Sequence, residues 1–108
     1  MAIPLKLTVY KDSQLVGEHA FERDIIKIGR LAAARLRLDD EKVSRIHAVI
    51  QAVGDGSGYD LIDMGSTEGT KLNGEKVSKK RLSDGDGLAL GESRIVISME
   101  VASEAPAA

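Results

Sequence analysis

Leu31-Ala32-Ala33-Ala34-Arg35-Leu36-Arg37-Leu38 decides the fold class of this chain. Taken alone, its Ala, Leu and Arg residues have strong helix propensity. Eight residues are marginal for a helix, however, and tertiary context overrides propensity in segments this short. The flanks favour strands. On the N-terminal side, Ile26 and Ile28 alternate around Lys27. On the C-terminal side, Ile46 to Val53 is apolar at nearly every position, broken by His47 and Gln51, and predicts a strand buried on both faces. The central run is therefore read as a loop entering a short strand at Leu36 to Leu38.

Further out the alternation continues. Leu5, Leu7 and Val9 alternate with Lys6, Thr8 and Tyr10, and Ile95, Ile97, Met99 and Val101 alternate with Arg94, Val96, Ser98 and Glu100. Turn signals separate the runs: Lys11-Asp12-Ser13, Gly54-Asp55-Gly56-Ser57-Gly58, Asn73-Gly74, Asp84-Gly85-Asp86-Gly87 and Gly91. Asn-Gly is a hairpin signal because both central residues tolerate positive φ. Short strands with closely spaced Gly turns predict an all-β fold, a two-sheet antiparallel β-sandwich or a barrel.

Composition narrows the function. The chain has 108 residues, with 15 Lys+Arg against 17 Asp+Glu, for a formal charge of −2. That length suits one domain. The acidic balance argues against nucleic acid, whose binding draws on net positive charge. One Phe, two Tyr and no Trp provide no stacking platform for bases. With no Cys, disulfides and thiolate zinc sites are excluded, and two His 28 positions apart make a poor metal site, so neither a metal nor a cofactor is expected. No apolar run approaches the ~20 residues of a membrane helix, and no signal peptide is visible. The expected setting is cytoplasmic, with no membrane contact.

Enzyme readings fare poorly. Ser44, His47 and Asp63 could be assembled on paper into a Ser-His-acid set, but Ser44 lacks a nucleophile elbow. Asp39-Asp40-Glu41 and Asp84-Gly85-Asp86-Gly87 lack the ligand series of a calcium loop and read as solvated turns. Lys79-Lys80-Arg81 reads as a solvated basic loop.

What remains is an ordered set of strand-end motifs. Gly29-Arg30 is followed by Ser44-Arg45-Ile46-His47. Then come Gly65-Ser66-Thr67-Glu68-Gly69-Thr70 with Asn73-Gly74, and finally Leu82-Ser83-Asp84-Gly85-Asp86. From about Val9 to Val101 this order resembles the forkhead-associated (FHA) domain. The resemblance implies a β-sandwich that reads phosphothreonine through loops clustered at one end. The residue types suit that ligand. A phosphothreonine carries about −1.5 to −2 charge and three acceptor oxygens, and a guanidinium offers a matching planar fork of donors.

By that resemblance, Arg30 grips the phosphate and Ser44 donates its hydroxyl to a phosphate oxygen. Arg45 contacts phosphate or peptide backbone, and Thr67 directs its hydroxyl or amide to the phosphothreonine. His47 ties the binding loops together. Gly29, Gly65, Gly69 and Gly74 are turn formers, with Asn73 in the hairpin. The expected domain is 1–101, with 102–108 a tail or the start of a linker. The expected function is a non-enzymatic module that recruits a partner phosphorylated by a Ser/Thr kinase.

Position 68 departs from the pattern. The family has an Asn there that bonds the peptide backbone, and an amide both donates and accepts. Glu68 only accepts, and it adds negative charge near a dianion. At ~8 Å and an effective dielectric of ~20 the repulsion is about 2 kcal/mol per unit charge. Salt screening reduces it to ~1–2 kcal/mol, a roughly 5–30-fold weakening. Arg35 and Arg45 are candidate neutralisers. Ala32-Ala33-Ala34 also replaces the polar first loop common among relatives. A divergent scaffold that binds an unphosphorylated partner, or itself, is the alternative reading.

Overall fold

The computed structural model describes residues 4–22, 24–54 and 58–99. Val101, the expected tail at 102–108 and the centre of the Gly54–Gly58 turn lie outside them. The strands are β1 (Leu5–Lys11), β2 (Gln14–Phe21), β3 (Ile25–Gly29), β4 (Leu36–Arg37), β5 (Ala48–Ala52) and β6 (Tyr59–Asp63). They continue with β7 (Thr70–Leu72), β8 (Glu75–Val77), β9 (Lys79–Arg81), β10 (Gly87–Leu90) and β11 (Ser93–Met99). One sheet has the order β2-β1-β11-β10-β7-β8 and the other β4-β3-β5-β6-β9. All pairings are antiparallel except β3 with β4.

Leu31 to Leu38 contains no helix. Its apolar residues serve the core instead: Ala34, Leu36 and Leu38 are buried. The Leu38 amide donates to the Gly29 carbonyl at 2.8 Å, extending the β3–β4 pairing. Burial won over intrinsic propensity, because a helix here could not direct Leu36 and Leu38 into the same interior. The core joins Leu5, Leu7, Val9, Leu88, Leu90, Ile95 and Ile97 of the six-stranded sheet to Ile26, Ile28, Ile50, Tyr59 and Leu61 of the other. Each such aliphatic or aromatic burial contributes about 1.5–3 kcal/mol.

Several expectations need correction. β5 begins at Ala48, after an irregular segment at Ile46 and His47, and it is buried on one face, with Gln51 exposed. Lys79-Lys80-Arg81 is the edge strand β9, paired to β6. β2 escaped the sequence reading, since nearly all its residues are exposed and no alternation marks it. The hairpin turns follow their chemistry. Asp12 and Ser13 have φ of 54° and 64°, and Asn73 and Gly74 have 51° and 87°. Two successive positive φ values give the turn whose twist matches the paired strands.

Candidate functional site

The connections β3–β4, β4–β5 and β6–β7 meet at one end of the sandwich. β3 closes at Gly29, where a Cβ would stand 2.0 Å from the Arg45 carbonyl oxygen. Gly29 is thus required by close backbone approach, and the expectation of a turn former there is corrected. The approach lets the Arg30 amide donate to the Ser44 carbonyl at 3.1 Å and the His47 amide donate to the Ile28 carbonyl at 2.8 Å. The Arg30 side chain is exposed, but its Nε donates to the Val43 carbonyl at 2.7 Å. That bond fixes the guanidinium and leaves its two terminal amino groups unengaged among the described residues.

His47 is fully buried. Its Nδ1 accepts the Ser44 amide at 3.0 Å, so the ring proton sits on Nε2, which donates to the Gly69 carbonyl at 2.8 Å. One imidazole therefore spans two loops. The Ser44 hydroxyl accepts the Thr67 amide at 3.1 Å and keeps its own proton free to donate. This disposes of the paper triad: the His47 ring holds backbone groups and not the Ser44 hydroxyl.

Asp63 shapes the third loop. Its carboxylate accepts the amides of Gly65 at 3.1 Å and Ser66 at 3.2 Å, the Ser66 hydroxyl, and the Thr70 hydroxyl at 2.7 Å. Burial pushes its pKa up, but the bonds from Ser66, Thr70 and Gly65 outweigh that and hold it below the ordinary value. The sequence reading considered Asp63 only as a triad acid, although an Asp just before Gly-Ser is a side-chain turn signature.

Asp40 overturns its reading as a solvated acid, for it is buried. It accepts the Lys42 amide at 3.0 Å, the Glu92 amide at 2.8 Å and the Ser93 hydroxyl at 2.8 Å, tying the β4–β5 loop to the β10–β11 turn. Here too burial raises the pKa, and the bonds from Lys42, Ser93 and Glu92, with the charge of Lys11, bring it below the ordinary value.

Arg45, Thr67 and Glu68 are exposed at the rim. Glu68 forms no ion pair among the described residues, so neither Arg35 nor Arg45 neutralises it. Gly69 has φ of 86°, and the Lys76 side chain lies against it: Cε and Nζ stand 2.6 and 3.3 Å from where a Cβ would be. The sequence reading passed over Lys76. Among the described residues no group of His, Asp and Glu side chains is arranged to hold a metal, and no helix is long and apolar enough to cross a membrane.

Fold and site together define a β-sandwich with polar, mutually hydrogen-bonded loops clustered at one end. The chain belongs to the FHA domain family, whose model matches residues 26–91. It is 43% identical over 72 residues to the FHA domain-containing protein FhaA of Mycobacterium tuberculosis, covering 67% of this chain and 13% of that protein. It is 36% identical over 75 residues to the oxoglutarate dehydrogenase inhibitor of Corynebacterium jeikeium, covering 69% of this chain and 51% of the relative. The chain thus spans about half or less of the curated relatives it matches. Among solved structures, one from a study of phosphothreonine-dependent FHA domain interactions aligns with a TM-score of 0.81 at 33% identity, covering 91% of this chain and 98% of that one. The FhaA FHA domain, complexed with another protein's intracellular domain, aligns with a TM-score of 0.76 at 33% identity, covering 86% and 98%.

Proposed function

We propose that this chain is a phosphothreonine-peptide-binding module of signal transduction, recruiting partners that a Ser/Thr kinase has phosphorylated. The observation that carries the reading is the Ser44 hydroxyl. It is held by the Thr67 amide with its proton uncommitted, on the loop whose Val43 carbonyl anchors the Arg30 guanidinium. The free end of that guanidinium supplies a two-pronged charge-assisted grip on a phosphate. Ser44 adds a third donor and the Thr67 hydroxyl a fourth. Arg45 and Glu68 meet the peptide at the rim, and Gly29, His47, Gly69, Asn73 and Gly74 hold the loops and hairpin in place. The relative solved in the context of phosphothreonine-dependent interactions supports the same chemistry. The module is non-catalytic in this reading and works in the cytoplasm, where it meets the kinase's products.

The test is binding of a degenerate phosphothreonine peptide library beside its unphosphorylated twin. Arg30→Ala removes charge-assisted bonds worth about 1.5–3 kcal/mol, a roughly 10–150-fold loss. Unchanged affinity in that variant sinks the phosphate recess. Glu68→Asn tightens binding about 5–30-fold if like-charge repulsion operates. Affinity falls as pH drops through ~6, where the phosphate takes up its second proton. The exposed, unpaired Glu68 favours the second reading, a scaffold for an unphosphorylated partner, and equal binding of both libraries would establish it.

A further inference from the structure

The outer face of the six-stranded sheet carries a cross-strand row one step from the loop end. Lys76 pairs with Lys71, Lys71 with Ala89, Ala89 with Arg94 and Arg94 with Tyr10. The row holds three cations and no acid, on a chain whose formal charge is −2. Arg94 is partly answered, since Glu92 and Asp12 line the same hollow. Lys71 and Lys76 are not: neither forms an ion pair among the described residues. Like charges directly opposite each other destabilise a sheet, so this pair needs a reason.

Protection of a sheet edge is the common reason for surface lysines. It accounts for Lys79 and Lys80 on the edge strand β9. It does not account for Lys71, because β7 is paired on both sides. Lys76 does stand on an edge strand, β8, but its side chain packs against Gly69 in the turn after Thr67. Gly69 lies two residues beyond Thr67, and its carbonyl is held by His47. Glu68, next to Gly69, and Glu75, next to Lys76, are the acids adjacent along the chain, and neither forms an ion pair with either lysine. Two cations therefore flank the turn that carries Thr67, on the side that continues onto the outer sheet face.

We propose that Lys71 and Lys76 form a cationic step beside the recess that receives acidic side chains flanking the partner's phosphothreonine. This rests on the phosphothreonine reading and adds to it the class of peptide preferred. The step also sets a positive field beside Glu68, so that the carboxylate does not repel an acidic partner unopposed.

Fluorescence anisotropy with 11-residue Ala/Gly phosphothreonine peptides tests it. The peptides carry three Glu, or three Gln, on one side of the phosphothreonine, with each side probed separately. For the unaltered chain at low salt, Glu on one side binds about three- to tenfold tighter than Gln, as expected for exposed ion pairs acting together. In Lys71→Gln/Lys76→Gln the two affinities converge, while Lys79→Gln/Lys80→Gln keeps the difference. Tight binding of the Gln peptides with no Glu preference overturns the cationic step and leaves the phosphothreonine reading standing. A preference that survives Lys71→Gln/Lys76→Gln, or disappears in Lys79→Gln/Lys80→Gln, overturns it too. If no phosphopeptide binds, the phosphothreonine reading falls and takes this inference with it.

Discussion

The two ends of the sandwich use similar side chains in opposite surroundings. At the loop end, His47, Asp40 and Thr70 are buried and bonded. At the far end, Asn73 donates to Asp86 at 3.0 Å and accepts the Gly87 amide at 2.9 Å. There Asp86 also accepts the Ser83 amide at 2.7 Å, and Asp84 accepts the Met99 amide at 2.8 Å, all near solvent. A lost bond at the far end is replaced by water. Losing one of these buried side chains at the loop end leaves its partners shielded from water, which costs about 1–3 kcal/mol per group. Similar chemistry therefore closes turns at one end and fixes the proposed binding surface at the other.

The sharpest way to break this comparison is His47→Ala. It strands the Ser44 amide and the Gly69 carbonyl, so the urea midpoint should report a loss of about 2–5 kcal/mol. Phosphopeptide affinity should fall with it, because Ser44 and the Thr67 loop lose their shared tie.

Acid probes the same end. Asp40 and Asp63 have folded-state pKa values below the ordinary 3.8. The unfolded chain therefore takes up protons first, and the stability these groups contribute is complete above about pH 4. It is lost as pH falls through their depressed values. Asp40→Asn should start less stable at neutral pH and show a flatter decline in urea midpoint below about pH 4. An unaltered acid slope would show that Asp40 is not among the groups responsible.

The smallest effect belongs to the far end. Asp86→Ala should cost about 1 kcal/mol or less, because solvent reaches the groups it frees. If its urea midpoint drops as far as that of His47→Ala, burial is not what separates the two ends.

The alternating strands, the Asn73-Gly74 hairpin and the membership in a loop-bearing sandwich family were legible in the sequence. Period-2 burial and positive-φ turns write themselves into local residue order. β2 was illegible because both its faces are largely exposed, leaving no alternation to find. Asp40 was misread because its partners, Glu92 and Ser93, lie over fifty residues away. Lys76 was missed because its neighbour, Gly69, is brought to it by the β7–β8 hairpin and not by sequence. Around the candidate site, local turns could be read in advance. The ties between distant loops could not, since no short-range pattern encodes them.

The bond from the Thr67 amide to the Ser44 hydroxyl has a bearing on speed. Two loops latched together before any guest arrives have little ordering left to do. Capture of a phosphorylated chain would then be limited by diffusion and orientation of the partners, with little backbone rearrangement between the empty and occupied forms.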